Sequence, residues 1–142
     1  MAIRHAEARW EGSLQEGNGR TKGQSSAFDV PFSFKTRFGD EPGTNPEELI
    51  GAAHAGCYSM ALSGDLGRAG FTPDYINTTA NVHFGPVDGK QTIYKIELVV
   101  NASVPGIDNE KFQEIATGTK NNCPISRALG AVSEIVVDAT LV

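Results

Sequence analysis

One stretch, Asn45 to Gly70, constrains this chain more than any other. Asn45 can cap a helix, Pro46 suits the first helical position, and Glu47 and Glu48 fill the first turn, where the helix dipole favours negative charge. Gly70 follows the last periodic residue and can take the left-handed conformation that ends a helix. The pattern predicts about 24 residues of helix, roughly 36 Å long. On a helical wheel Leu49, Ile50, Ala53, Gly56, Cys57, Met60, Ala61 and Gly64 share one wide face, and Tyr58, Leu62 and Leu66 make the opposite face apolar too. A helix that is apolar nearly all round is normally buried, so this one is expected at the centre of the fold. Gly51, Gly56 and Gly64 each cost about 1 kcal/mol relative to Ala in a helix interior, which close approach of another backbone would offset.

The remaining segments read as strands and shorter helices around it. From Ala6 to about Lys35 the pattern is strand-like, with turns at Gly12 and Gly17-Asn18-Gly19. Phe28, Val30, Phe32 and Phe34 alternate as a half-buried strand does, and Trp10 reads as a core or interface anchor. Residues 37–44 then read as a loop into the long helix. Two strands, Thr78 to Phe84 and Thr92 to Val100, are joined through residues 85–89. Asp108 caps a second helix bearing Phe112, Ile115 and Ala116, ended by Asn121-Asn122. Cys123-Pro124 opens a short helix, and Ile135 to Val142 makes a last strand. The expected class is α+β, one domain over residues 1–142, with strands wrapped around the central helix.

Composition narrows the function classes. The net charge of −5, with no basic run, argues against nucleic acid and anionic membrane surfaces. The longest apolar stretch is too short to span a bilayer, and Met1-Ala2-Ile3-Arg4-His5 is unlike a signal peptide, so a cytoplasmic protein is expected. In that compartment two cysteines are more often chemical than structural. Phosphate loops, nucleotide fingerprints and Gly-x-Ser-x-Gly elbows are absent, and no cofactor is expected. A metal held by His54, Cys57 and Cys123 lacks a fourth ligand and the usual close cysteine spacing, so no metal is expected either. His54 reads as a partly exposed residue at the edge of the apolar stripe, and His5 and His83 as surface residues on strands.

The two cysteines remain. Each could be a small buried hydrophobe. Against that, Cys57 lies among Gly and Ala on the helix face, and Cys123 precedes Pro124 at a helix start, where a thiolate is stabilised. Arg37, in a Gly/Pro/acidic segment, is a permanent cation that a thiolate could use.

Residues 43–62, Gly-Thr-Asn-Pro-Glu-Glu-Leu-Ile-Gly-Ala-Ala-His-Ala-Gly-Cys-Tyr-Ser-Met-Ala-Leu, closely resemble the helix of the osmotically inducible protein C (OsmC) family. Asn122-Cys123-Pro124-Ile125-Ser126 resembles that family's second cysteine motif. The resemblance spans nearly the whole chain, including Trp10-Glu11-Gly12, Thr36-Arg37-Phe38 and Val104-Pro105-Gly106-Ile107, and the long hairpin before Arg37 is similar to the OsmC branch rather than the organic hydroperoxide resistance branch. Gly64-Asp65 is more polar than the family pattern.

The resemblance implies a thiol-dependent peroxidase acting mainly on organic hydroperoxides, and an intertwined homodimer with its sites at the interface. It assigns Cys57 as the residue that becomes a sulfenic acid, Cys123 as the one that resolves it to a disulfide, Arg37 as the activating cation and Glu47 as its holder. An external dithiol would restore the thiols. Glu47 and Cys57 are roughly 15 Å apart along one helix, so Glu47 cannot lie beside its own Cys57. Either Arg37 bridges the distance, or a second subunit supplies both residues, which is the preferred arrangement. The competing reading is a dimer that carries a hydrophobic ligand without turnover.

Overall fold

The long helix forms as its caps dictate. In the computed structural model, which describes all 142 residues, Asn45 Oδ1 accepts from the Glu48 amide at 2.8 Å and the helix runs Pro46–Arg68. No helix of the chain is long and apolar enough to cross a membrane. The chain divides into two compact units, Met1–Leu49 and Ile50–Val142.

In the first unit, β1 (Ala6–Glu11), β2 (Asn18–Gly23) and β3 (Asp29–Ser33) form an antiparallel sheet in chain order. Trp10 and Phe32 lie against each other with ring centroids 5.5 Å apart. Every residue of β1 is nonetheless exposed, and elsewhere in this sheet only Gly19 is buried. The alternating phenylalanines do not continue as strand through Phe34. Ser33 ends β3 because it forms a capping box: its Oγ accepts from the Thr36 amide, and its own amide donates to Thr36 Oγ1 at 2.9 Å. A one-turn helix, α1 (Phe34–Phe38), follows, so Arg37 sits on a helix rather than in the loop the sequence suggests.

The second unit is built on β4 (Tyr75–Val87), β5 (Lys90–Ser103) and β6 (Glu134–Leu141), in that order. β4 and β5 pair antiparallel and extend further than expected, because the turn needs only Asp88 and Gly89, both at positive φ, the twist that suits a two-residue hairpin. β5 and β6 pair parallel. A parallel return needs a crossover, supplied here by α3 (Asn109–Asn122) and α4 (Pro124–Ala128). Asp108 caps α3 as expected, accepting from the Lys111 amide at 2.8 Å.

The core lies between one face of β5, carrying Ile96, Leu98, Val100 and Ala102, and the side chains of Tyr58, Leu62, Leu66, Phe112 and Ala116. The long helix, α2 (Pro46–Arg68), therefore turns its bulkiest face inward: Gly51, His54, Tyr58, Leu62 and Leu66 are buried, at helical spacing. The all-round burial expected of this helix is not met, because the face of small residues stays open. Ala53, Gly56 and Gly64 are exposed, and Met60 is 79% exposed. Large side chains fill the space over a sheet, while a stripe of small ones leaves it empty, so the sheet selects the Tyr/Leu face. Of the four glycines in α2, Gly51, Gly56, Gly64 and Gly67, only Gly51 packs against another element. A Cβ at that position would lie 3.4 Å from Val82 Cγ2 and 3.5 Å from Ala80 O, whereas one at Gly56 would meet nothing.

Candidate active site

Cys57 and Cys123 come together in the second unit. Cys57 is carried by α2 and is half-buried; Cys123 is fully buried at the junction of α3 and α4. The junction follows from Cys-Pro. A residue before proline is pushed out of the helical region, and Cys123 has φ −62° and ψ 118°. Its amide still closes α3 on Thr119 O at 2.9 Å, while its carbonyl starts α4 by accepting from the Arg127 amide at 3.1 Å. The sulfur is thus fixed from both sides. Both cysteines are thiols, 3.1 Å apart, sulfur to sulfur, and share a hydrogen bond. A disulfide needs about 2.05 Å, so a shift of about 1 Å joins them.

The two thiols are biased in opposite directions. Burial pushes Cys57 up, and the hydrogen bond with Cys123 adds to this, against the Ile125 amide. Burial also pushes Cys123 up, but the Ser126 amide, Cys57, the Ser126 hydroxyl and the Ile125 amide outweigh it and leave the thiol below its usual range. Cys123 makes no side-chain cap hydrogen bond, so these groups act on it as nearby dipoles at the start of α4. Negative charge shared by this pair resides mainly on Cys123.

Two residues to which the sequence analysis gave no part in the site support the junction. Tyr58 Oη donates to Ala116 O at 2.7 Å. Asp65, whose side chain is 12% exposed, accepts from Thr119 Oγ1 at 2.6 Å and Asn122 Nδ2 at 3.4 Å, and pairs with Arg68. Burial works against the Asp65 carboxylate, but these three partners prevail and hold it below the ordinary carboxylate range. A depressed folded-state value stabilises the fold above the unfolded carboxylate's range, and that share is lost as the pH falls towards the folded value. We expect Asp65→Asn to cost about 1–3 kcal/mol at neutral pH. Its denaturation midpoint should vary less between neutral and acid pH than that of the parent, measured by urea melts along a pH series. The polar Gly64-Asp65 pair is the trace this clamp leaves in the sequence.

His54 is not the partly exposed residue expected at the stripe's edge. It faces the core, fully buried, with Nε2 2.7 Å from Ser126 Oγ and Nδ1 without a partner. Its spacing to Tyr58 and Leu62, four and eight residues on, is the signal that puts it on the inner face. No three His, Cys, Asp or Glu side chains gather in a set that could hold a metal ion. His83 is also more enclosed than expected, bonded to Glu97 Oε2 at 2.7 Å and lying 5.9 Å from the Tyr94 ring.

In the first unit Arg37 and Glu47 form a forked pair. Arg37 Nη2 reaches Glu47 Oε1 at 2.7 Å, and Nε lies 3.2 Å from both carboxylate oxygens. Glu47 is 11% exposed at the side chain and Arg37 36%. The guanidinium carbon also lies 5.3 Å from the Phe38 ring centroid. An apolar pocket of about 230 Å³ opens beside it, walled by Trp10, Phe32, Phe34, Phe38 and Pro46. The sequence placed Arg37 and Glu47 together correctly; it did not foresee the helix turn that presents the arginine.

Fold and site together define an α+β protein with two neighbouring free thiols, one half-buried and one buried. Residues 39–138 match the family model described as OsmC-like protein. The chain is 49% identical to peroxiredoxin OsmC of Escherichia coli (strain K12) over 136 residues, covering 95% of this chain and 94% of that one. It is 26% identical to the organic hydroperoxide resistance protein of Xanthomonas axonopodis pv. citri, covering 78% of each. Its fold is that of an OsmC-like protein of unknown function from Vibrio cholerae (TM-score 0.78, 15% identity, 99% of this chain and 100% of that one). It is also that of the organic hydroperoxide resistance protein OhrB of Bacillus subtilis (TM-score 0.74, 20% identity, 96% and 98%). The chain belongs to the OsmC-like family.

Proposed function

We propose that the protein is a cytoplasmic, thiol-dependent peroxidase that reduces hydroperoxides, organic ones above all, and that Cys57, Cys123, Arg37 and Glu47 carry the reaction. The observation that carries this reading is the 3.1 Å separation of two free thiols, one reachable and one buried. Similarity to an E. coli protein named a peroxiredoxin supports it.

The ionised sulfur of Cys57 attacks the terminal peroxide oxygen, the O–O bond breaks, and the alkoxide leaves as the alcohol after gaining a proton. Cys57 is then a sulfenic acid. The Cys123 thiolate attacks the Cys57 sulfur, the S–O bond breaks, and hydroxide leaves as water. An external dithiol returns both residues to thiols by exchange.

Cys57 needs a cation, because burial holds its thiol up. Arg37, oriented by Glu47, supplies it from a second copy of the chain, in an intertwined homodimer. The fully exposed β1 strand of the first unit and the exposed small-residue face of α2 favour such an assembly.

The test is stoichiometric. Reduced protein given one equivalent of an aryl hydroperoxide should lose both of its cysteine thiols. Retention of both thiols would leave the non-catalytic hydrophobic-ligand binder as the better reading. Substrate choice is a further expected outcome. Burying each CH₂ is worth about 0.8 kcal/mol, so three or four add on the order of a hundredfold in binding. Hydrogen peroxide gains none of this, and stopped-flow oxidation rates should favour aryl or fatty-acid hydroperoxides. Equal rates would mean an open, polar site.

A further inference from the structure

Asp65 stands on the same helix as Cys57, yet its carboxylate grips the end of α3 that leads into the other cysteine. We propose that Asp65 is a positioning residue for Cys123: through Thr119 and Asn122 it holds the α3–α4 junction on α2, which keeps the two sulfurs within reach of one another. The inference rests on the role of Cys123 proposed above.

The link is a chain of hydrogen bonds. Thr119 Oγ1 donates to Asp65 Oδ2 at 2.6 Å, and Asn122 Nδ2 donates to the same oxygen at 3.4 Å. Arg68 pairs with the other oxygen, Oδ1. The Thr119 carbonyl in turn accepts from the Cys123 amide at 2.9 Å, and Asn122 directly precedes Cys123 in the chain. Cys123 thus hangs from two residues that α2 holds. Cys57 and Asp65 are eight residues apart on α2, about 12 Å along one helix. That helix carries both the sulfur to be attacked and the anchor of the sulfur that attacks it.

Asp65 also decides where the Thr119 proton goes. The hydroxyl has one proton and two acceptors in range, Asp65 Oδ2 and, at 2.9 Å, Ile115 O. The carboxylate is the closer and stronger acceptor, so the proton serves the link between helices. Without that carboxylate the hydroxyl turns back to Ile115 inside α3, as serines and threonines in helices do, and the junction loses its tie. Tyr58 Oη still holds Ala116 O at 2.7 Å, one turn earlier, so the end of α3 loosens rather than comes free. A looser junction spreads the Cys123 sulfur over more positions, and closing the S–S bond must then gather them. In the proposed cycle, resolution slows and the Cys57 sulfenic acid stays open to a second oxidant.

The equilibrium of the thiol pair with glutathione tests this without any hydroperoxide. Two protein thiols are oxidised to one disulfide while glutathione disulfide is reduced to two thiols, and the constant is the effective concentration of one sulfur at the other. Thr119→Val keeps the shape and removes the hydroxyl. It should lower that concentration about tenfold, the worth of one hydrogen bond to a charged group. Thr119→Ser should restore most of the loss. Asp65→Asn, which keeps an oxygen but not the charge, should give a fall of about threefold, and it decides alone if Thr119→Val does not fold. Gln113→Ala is the control. It cuts a 2.7 Å bond from near the start of α3 to Ala139 O, so it should lower stability and leave the effective concentration where it was. A parental value in Thr119→Val or Asp65→Asn, a Ser variant that behaves like Val, or an equal fall in Gln113→Ala would make the clamp merely structural and overturn the inference. A parent protein that forms no disulfide with glutathione overturns the inference and the proposed resolution together. The predicted falls in a protein that consumes no hydroperoxide would overturn only the peroxidase reading.

Discussion

Cys57→Ser should reduce hydroperoxide turnover to background, whereas Cys123→Ser should still react once and then stop. Local electrostatics alone points the other way, because Cys123 is the more easily ionised of the two. Access decides the matter. Cys123 is fully buried among the core residues, and no hydroperoxide reaches it without opening the core; Cys57 is half-buried on the helix. A thiolate nucleophile must be both ionised and reachable, and only one of these can be supplied from outside by a neighbouring cation. The Cys123→Ser variant should therefore accumulate a sulfenic acid on Cys57 after one equivalent of oxidant, trapped by a dimedone-type reagent and located by mass spectrometry. Further oxidant should carry it to the sulfinic acid, since nothing is left to resolve it. Label on Cys123 in the Cys57→Ser variant would reverse the roles.

The elements whose signals are local were readable from the sequence. Asn45-Pro46-Glu47 and Gly70 bracketed the long helix, Asp108 opened α3, and Cys123-Pro124 broke the helical run where the structure breaks it. The two cysteines that the structure brings together were readable as two motifs in a family pattern. What failed was the expectation that α2 is buried all round. That helix is apolar almost all round, so periodicity cannot say which side meets the sheet; volume can, and Tyr58, Leu62 and Leu66 carry most of it. His54 followed the same error, because it is reached by counting back four from Tyr58 rather than forward from the Ala/Gly stripe. The Phe34–Phe38 turn was hidden by a period-two run of aromatic residues, which a Ser33–Thr36 capping box interrupts at one residue. Of the Asp65 clamp only the unexpected polarity at Gly64-Asp65 was readable, since its partners Thr119 and Asn122 lie more than fifty positions away in the chain.

Arg37→Lys should lose most of the oxidation rate of Cys57 while leaving the melting temperature nearly unchanged. The substitution keeps the charge, so a purely Coulombic role would survive it. Geometry would not. Arg37 meets Glu47 through Nε and Nη2 at once, a planar fork that fixes the guanidinium. In the proposed reaction this orientation is what would aim its other N–H groups at the thiolate and the departing oxygen. An ammonium is a point donor on a flexible stem, and it cannot hold the carboxylate and two reacting atoms in one plane. The stability cost should be small, because the Arg37 side chain is more than a third exposed and screened ion pairs are worth about 0–1 kcal/mol. Glu47→Gln should follow in the same direction with a smaller loss: the amide still accepts one hydrogen bond, but the arginine is no longer held by a full charge. Taken together, the two variants separate orientation from charge. Stopped-flow oxidation of reduced protein by an aryl hydroperoxide, with thermal melts of the same samples, gives both readouts. A lysine variant that oxidised at the parental rate would mean that Arg37 contributes charge alone, and that the fork with Glu47 is structural.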